Sequence, residues 1–244
     1  MFKKLMIAAA LSALAAGGAM AQQTVRLGTE GAYPPYNFIN DKGEVDGYER
    51  ELGDEMCKRA GLTCTWVTND WDSIIPNLQS GNYDAIMAGM SITDERSKVV
   101  SFTQNYYPPG VSAYMALKAD ADVKGGVVAA QTSTIQAGYV AESGATLLEF
   151  ATADETVAAV RNGEADAVFA DKDFLVPVQK ESNGEFTWAG ADVTLGGGVG
   201  MAFRQSDTEL REKFDTVVAE MKADGSLNKL LAKWFADADP VPQY

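Results

Sequence analysis

The chain has 244 residues, 46% hydrophobic and 22% charged, with 34 acidic against 20 basic side chains and a net charge of −14. So acidic a surface excludes nucleic acid and anionic lipid as partners, because their phosphates are repelled. Histidine is absent, which excludes Ser-His-Asp and Cys-His catalysis and removes the commonest metal ligand, so neither a metal nor a cofactor is expected.

At the N-terminus Lys3 and Lys4 precede a short apolar, Ala-rich stretch from Leu5 to Ala16. Ala19-Met20-Ala21 then matches a small-residue cleavage site, so residues 1–21 are expected to be an export signal and Gln22 the first mature residue. The apolar run is too short to span a bilayer comfortably. Cleavage leaves 223 of the 244 residues, enough for one large domain or two small lobes, and losing both lysines moves the charge from −14 to −16. Cys57 and Cys64 are the only cysteines, and in an exported chain they are expected to form a disulfide. Its loop is small, so its chain-entropy contribution is about 2–3 kcal/mol.

In chain order, Val25 to Thr29 reads as a strand entering a Pro-rich loop, Tyr33-Pro34-Pro35-Tyr36. Glu49 to Ala60 reads as a helix, with Leu52 and Met56 on one face and Gly61 as its stop. A strand over Thr63–Thr68, a short helix over Ile74–Ser80 halted by Gly81, and a buried strand over Asp84–Met87 follow. Thr93 can cap a turn running through Glu95 and Arg96. Strands are next expected over Ser112–Leu117 and Val127–Ala130, a helix over Ile135–Ala141, and a strand over Leu147–Phe150. A helix over Asp154–Asn162 and a strand over Ala167–Phe169 complete that run. The last elements are a strand over Val199–Phe203 and helices over Asp207–Lys222 and Ser226–Ala236.

Strands alternating with helices in this way predict an α/β fold of two Rossmann-like lobes with mixed, largely parallel sheets. The segment Leu78–Gly89 echoes Val160–Asp171: each has a helix end, a Gly stop, a polar spacer and a short apolar strand. Ligands bind at the carboxyl ends of strands in open α/β sheets, so the echo nominates Gly89 and Asp171 as facing positions. Tyr106-Tyr107-Pro108-Pro109-Gly110 and the run Gly196–Gly200 are the expected crossings. They divide the mature chain into lobe I (22–109 plus 202–244) and lobe II (110–201).

Several motifs, in this order and spacing, carry a resemblance that runs almost end to end. They are Gly28-Thr29-Glu30-Gly31-Ala32-Tyr33-Pro34-Pro35-Tyr36, Cys57 with Cys64, Trp71-Asp72-Ser73-Ile74-Ile75-Pro76, Ser91-Ile92-Thr93-Asp94-Glu95-Arg96, Gln131-Thr132-Ser133-Thr134 and Phe169-Ala170-Asp171. The chain resembles the type II periplasmic binding proteins of the polar amino-acid class (solute-binding protein family 3). Within that class it is similar to the cluster of lysine/arginine/ornithine, histidine, arginine and opine binders. The resemblance implies a periplasmic, monomeric, non-enzymatic protein with no catalytic residues. Two lobes joined by two strands would close on an amino acid and deliver it to an ABC transporter permease. Cyclohexadienyl dehydratases share the fold and are the enzymatic alternative.

An amino acid arrives with two backbone charges, and a site that strips their water must match both. Taken alone, Arg96 would pair with Asp94 or Glu95 at the surface. The resemblance instead makes its planar fork the holder of the α-carboxylate. Asp171, which could simply cap a helix, becomes the partner of the α-ammonium, completed by Gly89 and Ser91. Ser133 and Thr134 stand where a strand enters a helix, so their amides suit a carboxylate. Trp71 and Tyr33 are expected to sandwich the ligand side chain. Glu30 is then a spare carboxylate, which favours a ligand with an extra positive charge: arginine, lysine, ornithine or a relative. Glu30 matches the arginine and opine binders, whereas the lysine/arginine/ornithine type carries Asp there. Ala88-Gly89 replaces a serine pair and Ile135 replaces a Gln of that type, which removes side-chain polar contacts, and a carboxylate at Glu30 can also accept from a neutral amide, so glutamine, histidine and opines are the alternatives.

Overall fold

In the computed structural model, which describes residues 24–244, the chain starts with β1 (Thr24–Thr29), whose Val25 and Leu27 are buried. The export signal expected over residues 1–21 lies outside the described residues. A small antiparallel sheet of β2 (Ala32–Tyr33), β3 (Asn37–Ile39) and β4 (Val45–Asp46) leads into α1 (Tyr48–Arg59). Helix α1 buries Tyr48, Glu49, Leu52 and Met56 along one stripe, and Gly61, at φ +68, supplies the left-handed residue that ends it. Next come β5 (Thr63–Thr68), a 3₁₀ turn over Trp71–Ser73, α2 (Ile74–Gln79), β6 (Ala85–Ile86), α3 (Asp94–Ser97) and β7 (Ser101–Phe102). Cys57, near the end of α1, is bonded to Cys64 in β5, with Cα atoms 6.1 Å apart.

The second run comprises β8 (Val111–Ala116), β9 (Val127–Gln131), α4 (Ile135–Ser143), β10 (Thr146–Phe150), α5 (Ala153–Arg161) and β11 (Ala167–Asp171). It continues through α6 (Lys172–Glu181) and β12 (Thr187–Thr194) before β13 (Ala202–Phe203), α7 (Thr208–Ala223) and α8 (Ser226–Trp234). Two five-stranded sheets result, ordered β5-β1-β6-β13-β7 and β10-β9-β11-β8-β12. In each, the first three strands are parallel, the fourth runs antiparallel to them and the fifth antiparallel to the fourth. The order 5-1-6 repeats as 10-9-11, so each sheet has a switch point where successive helices fall on opposite sides of its first strand. The echoed segments Leu78–Gly89 and Val160–Asp171 run from the end of α2 through β6 and from the end of α5 through β11.

The chain leaves the first sheet after Phe102 and returns to it at Ala202. The two crossings bond to each other: Tyr106 N donates to Val199 O at 2.8 Å, and Val199 N donates to Tyr107 O at 2.9 Å. The strand expected over Val199–Phe203 is correspondingly reduced to Ala202–Phe203, with Val199 held only by isolated bridges to Ser91 and Tyr107. Glycines at 198 and 200 explain the break. A Cβ at Gly198 (φ +86) would lie 2.5 Å from Tyr107 O, so a regular strand with ordinary side chains cannot pass there. Strand β12 has no counterpart among the expected elements, and helix α6 has none beyond the possible cap at Asp171. The helix starts with no intervening turn and carries Pro177 inside it, and β12 is largely solvent-facing with a register shift between Ala189 and Val193.

Candidate functional site

The carboxyl ends of the switch-point strands converge. Glu30 follows β1 and Ala88-Gly89 follow β6, while Gln131 ends β9 and Asp171 ends β11. With Tyr33, Trp71, Ser91, Arg96, Thr134, Ile135 and Gln136 they line one small cavity between the two sheets.

Arg96 is placed by local rules. Thr93 caps α3 through Oγ1, which accepts from Arg96 N at 3.1 Å. The half-buried guanidinium donates to Ser91 O at 2.9 Å and, across the cleft, to Ser133 O at 3.3 Å. Its carbon sits 5.2 Å from the Trp71 ring centroid. Among the described residues no carboxylate lies within ion-pair distance of it, and Glu95 pairs with Lys98 instead. Burial pushes the guanidinium down to about 10, against the pull of Asp171.

Asp171 sits at the N-cap position of α6, yet its carboxylate makes no cap hydrogen bond. It accepts from Tyr33 Oη at 2.8 Å, and its own N–H donates back to Tyr33 Oη at 3.3 Å. Burial raises it to about 6, helped by Asp173 and opposed by the Tyr33 hydrogen bond. Glu30 is raised further, to about 7. Burial is again the main cause, the Gln131 hydrogen bond opposes it, and Asp70, Asp154 and Glu49 add repulsion. Neither carboxylate has a cationic partner within 4.0 Å among the described residues.

The remaining expected residues fall as follows. Tyr33 is buried, with one face stacked on Phe174 of α6 at 4.6 Å and 9°, so a ligand can meet only its other side. Trp71 is buried beneath Arg96. Thr134 caps α4, its Oγ1 accepting from Ala137 N at 3.1 Å and donating to Gln131 O at 2.6 Å. Ser133 is exposed and outside the lining. It contributes its carbonyl to Arg96, from a left-handed backbone (φ +58) that a serine rarely adopts.

Three polar residues join the site that the sequence reading left out of it. Gln131 and Gln136 are buried lining residues, and the topological rule that nominated Gly89 and Asp171 would also have found Gln131 at the end of β9. Glu49 lies just behind the lining. It is fully buried on the apolar stripe of α1 and accepts from Gly89 N at 2.7 Å, from Asn37 Nδ2 at 2.7 Å and from the Tyr106 hydroxyl. Asn37 Oδ1 in turn accepts from Gly31 N at 2.7 Å, so one network fixes both glycine-bearing loops of the first sheet. An acidic residue in phase with Leu52 and Met56 was the available signal.

Two mixed sheets that share one polar cavity beside a pair of mutually bonded crossings make a bilobal binding fold. The chain belongs to the bacterial extracellular solute-binding proteins, family 3, whose profile matches residues 25–237. It is 32% identical over 244 residues to the lysine/arginine/ornithine-binding periplasmic protein of Escherichia coli K12, covering 92% of each chain. It is 33% identical over 241 residues to the histidine-binding periplasmic protein of Salmonella typhimurium LT2, covering 93% of each. Among solved structures, a periplasmic His/Glu/Gln/Arg/opine family-binding protein from Silicibacter pomeroyi in complex with lysine is 72% identical. It aligns with a TM-score of 0.85 over 86% of this chain and 96% of that one.

Proposed function

We propose that this protein is the periplasmic binding component of an ABC importer and carries a cationic amino acid, lysine or a close relative, to the permease. The observation that carries the reading is electrostatic. One guanidinium without a carboxylate partner and two carboxylates without a cation line the same cavity, drawn from both sheets. Arg96 takes the α-carboxylate and Asp171 the α-ammonium; Glu30 takes the extra positive charge of the side chain. Lobe I (22–109 plus 202–244) closes on lobe II (110–201), because the guest bonds to both and so favours the closed state. The lysine complex of the 72% identical relative supports the same ligand class. The protein acts as a monomeric binder and not as an enzyme.

A thermal-shift panel tests this, with lysine, arginine, ornithine, histidine, glutamine, glutamate, octopine and nopaline. A ligand at 100 times its dissociation constant adds about 2.7 kcal/mol to stability. The largest shift is expected from a cationic amino acid; a largest shift from glutamate, or none from any amino acid, refutes the reading. Incubation with arogenate or prephenate yields no product if the protein only binds.

A further inference from the structure

Gln131 does more than line the cavity. A primary amide has two N–H donors and one carbonyl acceptor. Both donors of Gln131 are committed: Nε2 donates to Glu30 Oε1 at 2.6 Å, reaching from β9 to the end of β1, and to Ala151 O at 3.0 Å. The reversed amide would set its oxygen against a carboxylate and a carbonyl, so these two neighbours fix its orientation. Any bond from Gln131 to a guest is therefore accepted by Oε1. Glu30 receives no other hydrogen bond among the described residues, so once ionised, as it is above pH 7, it too meets a guest as an acceptor. The indole nitrogen of Trp71, a lining residue, is buried and has no hydrogen-bond partner.

We propose that Gln131 is a specificity-determining residue: pinned by Glu30 and Ala151, it makes this end of the cavity acceptor-only, which admits a side chain ending in ammonium or guanidinium and rejects one ending in an amide. An ammonium brings three donors and no acceptor, a guanidinium five and none. A glutamine side chain can turn its N–H groups to these acceptors, but its carbonyl then finds no partner on Glu30 or Gln131 and loses the water it had outside. Unpaired buried polar groups of this kind are what give hydrogen-bonding sites their strongest discrimination. The proposal rests on the reading of the cavity as an amino-acid site.

The test is calorimetry with lysine, arginine and glutamine on the wild-type protein and on Gln131→Leu and Gln131→Asn. Leucine keeps the volume without the amide; asparagine keeps the amide but cannot span to Glu30. In the wild type glutamine is expected to bind about 100-fold more weakly than lysine, or worse, and each folded variant to narrow that ratio about tenfold. A structural role alone would weaken all three ligands together and leave the ratio unchanged. Glutamine binding within about tenfold of lysine in the wild type overturns the proposal, as does a folded variant that keeps the wild-type ratio. Failure of every amino acid to bind would refute the function itself, whereas cation binding with an unmoved ratio refutes only the role of Gln131.

Discussion

Replacing Arg96 by alanine separates binding from stability more sharply than any other single change. The ligand carboxylate would lose a bidentate, charge-assisted partner, and truncating one member of a buried charge pair costs about 2–5 kcal/mol. Two smaller contributions go with it. The cross-cleft hydrogen bond to Ser133 O stabilises closure by about 0.5–1.5 kcal/mol, and the contact with Trp71 is of similar size. The sum, about 3–8 kcal/mol, predicts a dissociation constant raised by about two to six orders of magnitude. The ligand-free protein should hardly notice. Arg96 has no ion-pair partner and burial already disfavours its charge, which offsets the loss of its hydrogen bonds to Ser91 O and Ser133 O and of its contact with Trp71, so its removal changes unfolding free energy by less than about 1 kcal/mol. Arg96→Lys keeps the charge but not the fork and falls between the two. Isothermal calorimetry and urea melts of both variants read the two quantities independently. A variant that binds lysine within about tenfold of wild type, or one that loses several kcal/mol of stability, would show that Arg96 serves the fold and not the guest.

Three other outcomes follow from the same geometry. Glu30 and Asp171 are raised to about 7 and about 6, so lowering the pH from 8 to 5 protonates both and weakens lysine binding, by up to about tenfold per pH unit for each group below its value. The ligand-free protein moves the other way. These carboxyls bind protons more tightly folded than unfolded, so their contribution to stability is present at low pH and is lost as pH rises through 6 and 7. Parallel falls in affinity and in ligand-free melting temperature between pH 7 and 5.5 would contradict the pair. Glu49→Ala strands three buried donors, on Asn37, Gly89 and Tyr106, and is expected to cost about 3 kcal/mol or more in a denaturant melt. Reducing the Cys57–Cys64 bond should cost about 2–3 kcal/mol and leave ligand affinity unchanged, because neither cysteine lines the cavity.

Much of this fold was written in local signals. Thr93 three residues before Arg96 predicted a capped turn, and Thr93 Oγ1 does accept from Arg96 N. Gly61, Gly81 and Gly163 marked helix ends and all have positive φ. What the chain disclosed only as a possible cap at Asp171 was α6, whose extent had no clear local signal. It follows β11 without a turn, and Pro177 argues against a helix there. The consequence reached the site: Phe174 of α6 covers one face of Tyr33, so the expected aromatic sandwich is half occupied by the protein itself. Gln131 was hidden for a different reason. Its meaning lies in a bond to Glu30, 101 residues away, and that bond exists only because β1 and β9 hold equivalent places in their sheets.

That equivalence also accounts for how the site stores its bias. Arg96, Asp171 and Glu30 are each shifted by burial toward the neutral form, the arginine downward and the two acids upward, so each is held where water would serve it better. Neighbours relieve them only in part, through the Tyr33 hydrogen bond to Asp171, the Gln131 hydrogen bond to Glu30 and the attraction between Arg96 and Asp171, and none of the three has an ion-pair partner within 4.0 Å among the described residues. A zwitterion with one more positive charge relieves all three together. Since Arg96 and Glu30 belong to strands and loops of the first sheet and Asp171 to the second, on the proposed reading that relief is complete only when both sheets close on the same guest. Specificity and closure thus share one electrostatic origin, and a ligand that satisfied only one sheet would bind without favouring the closed state.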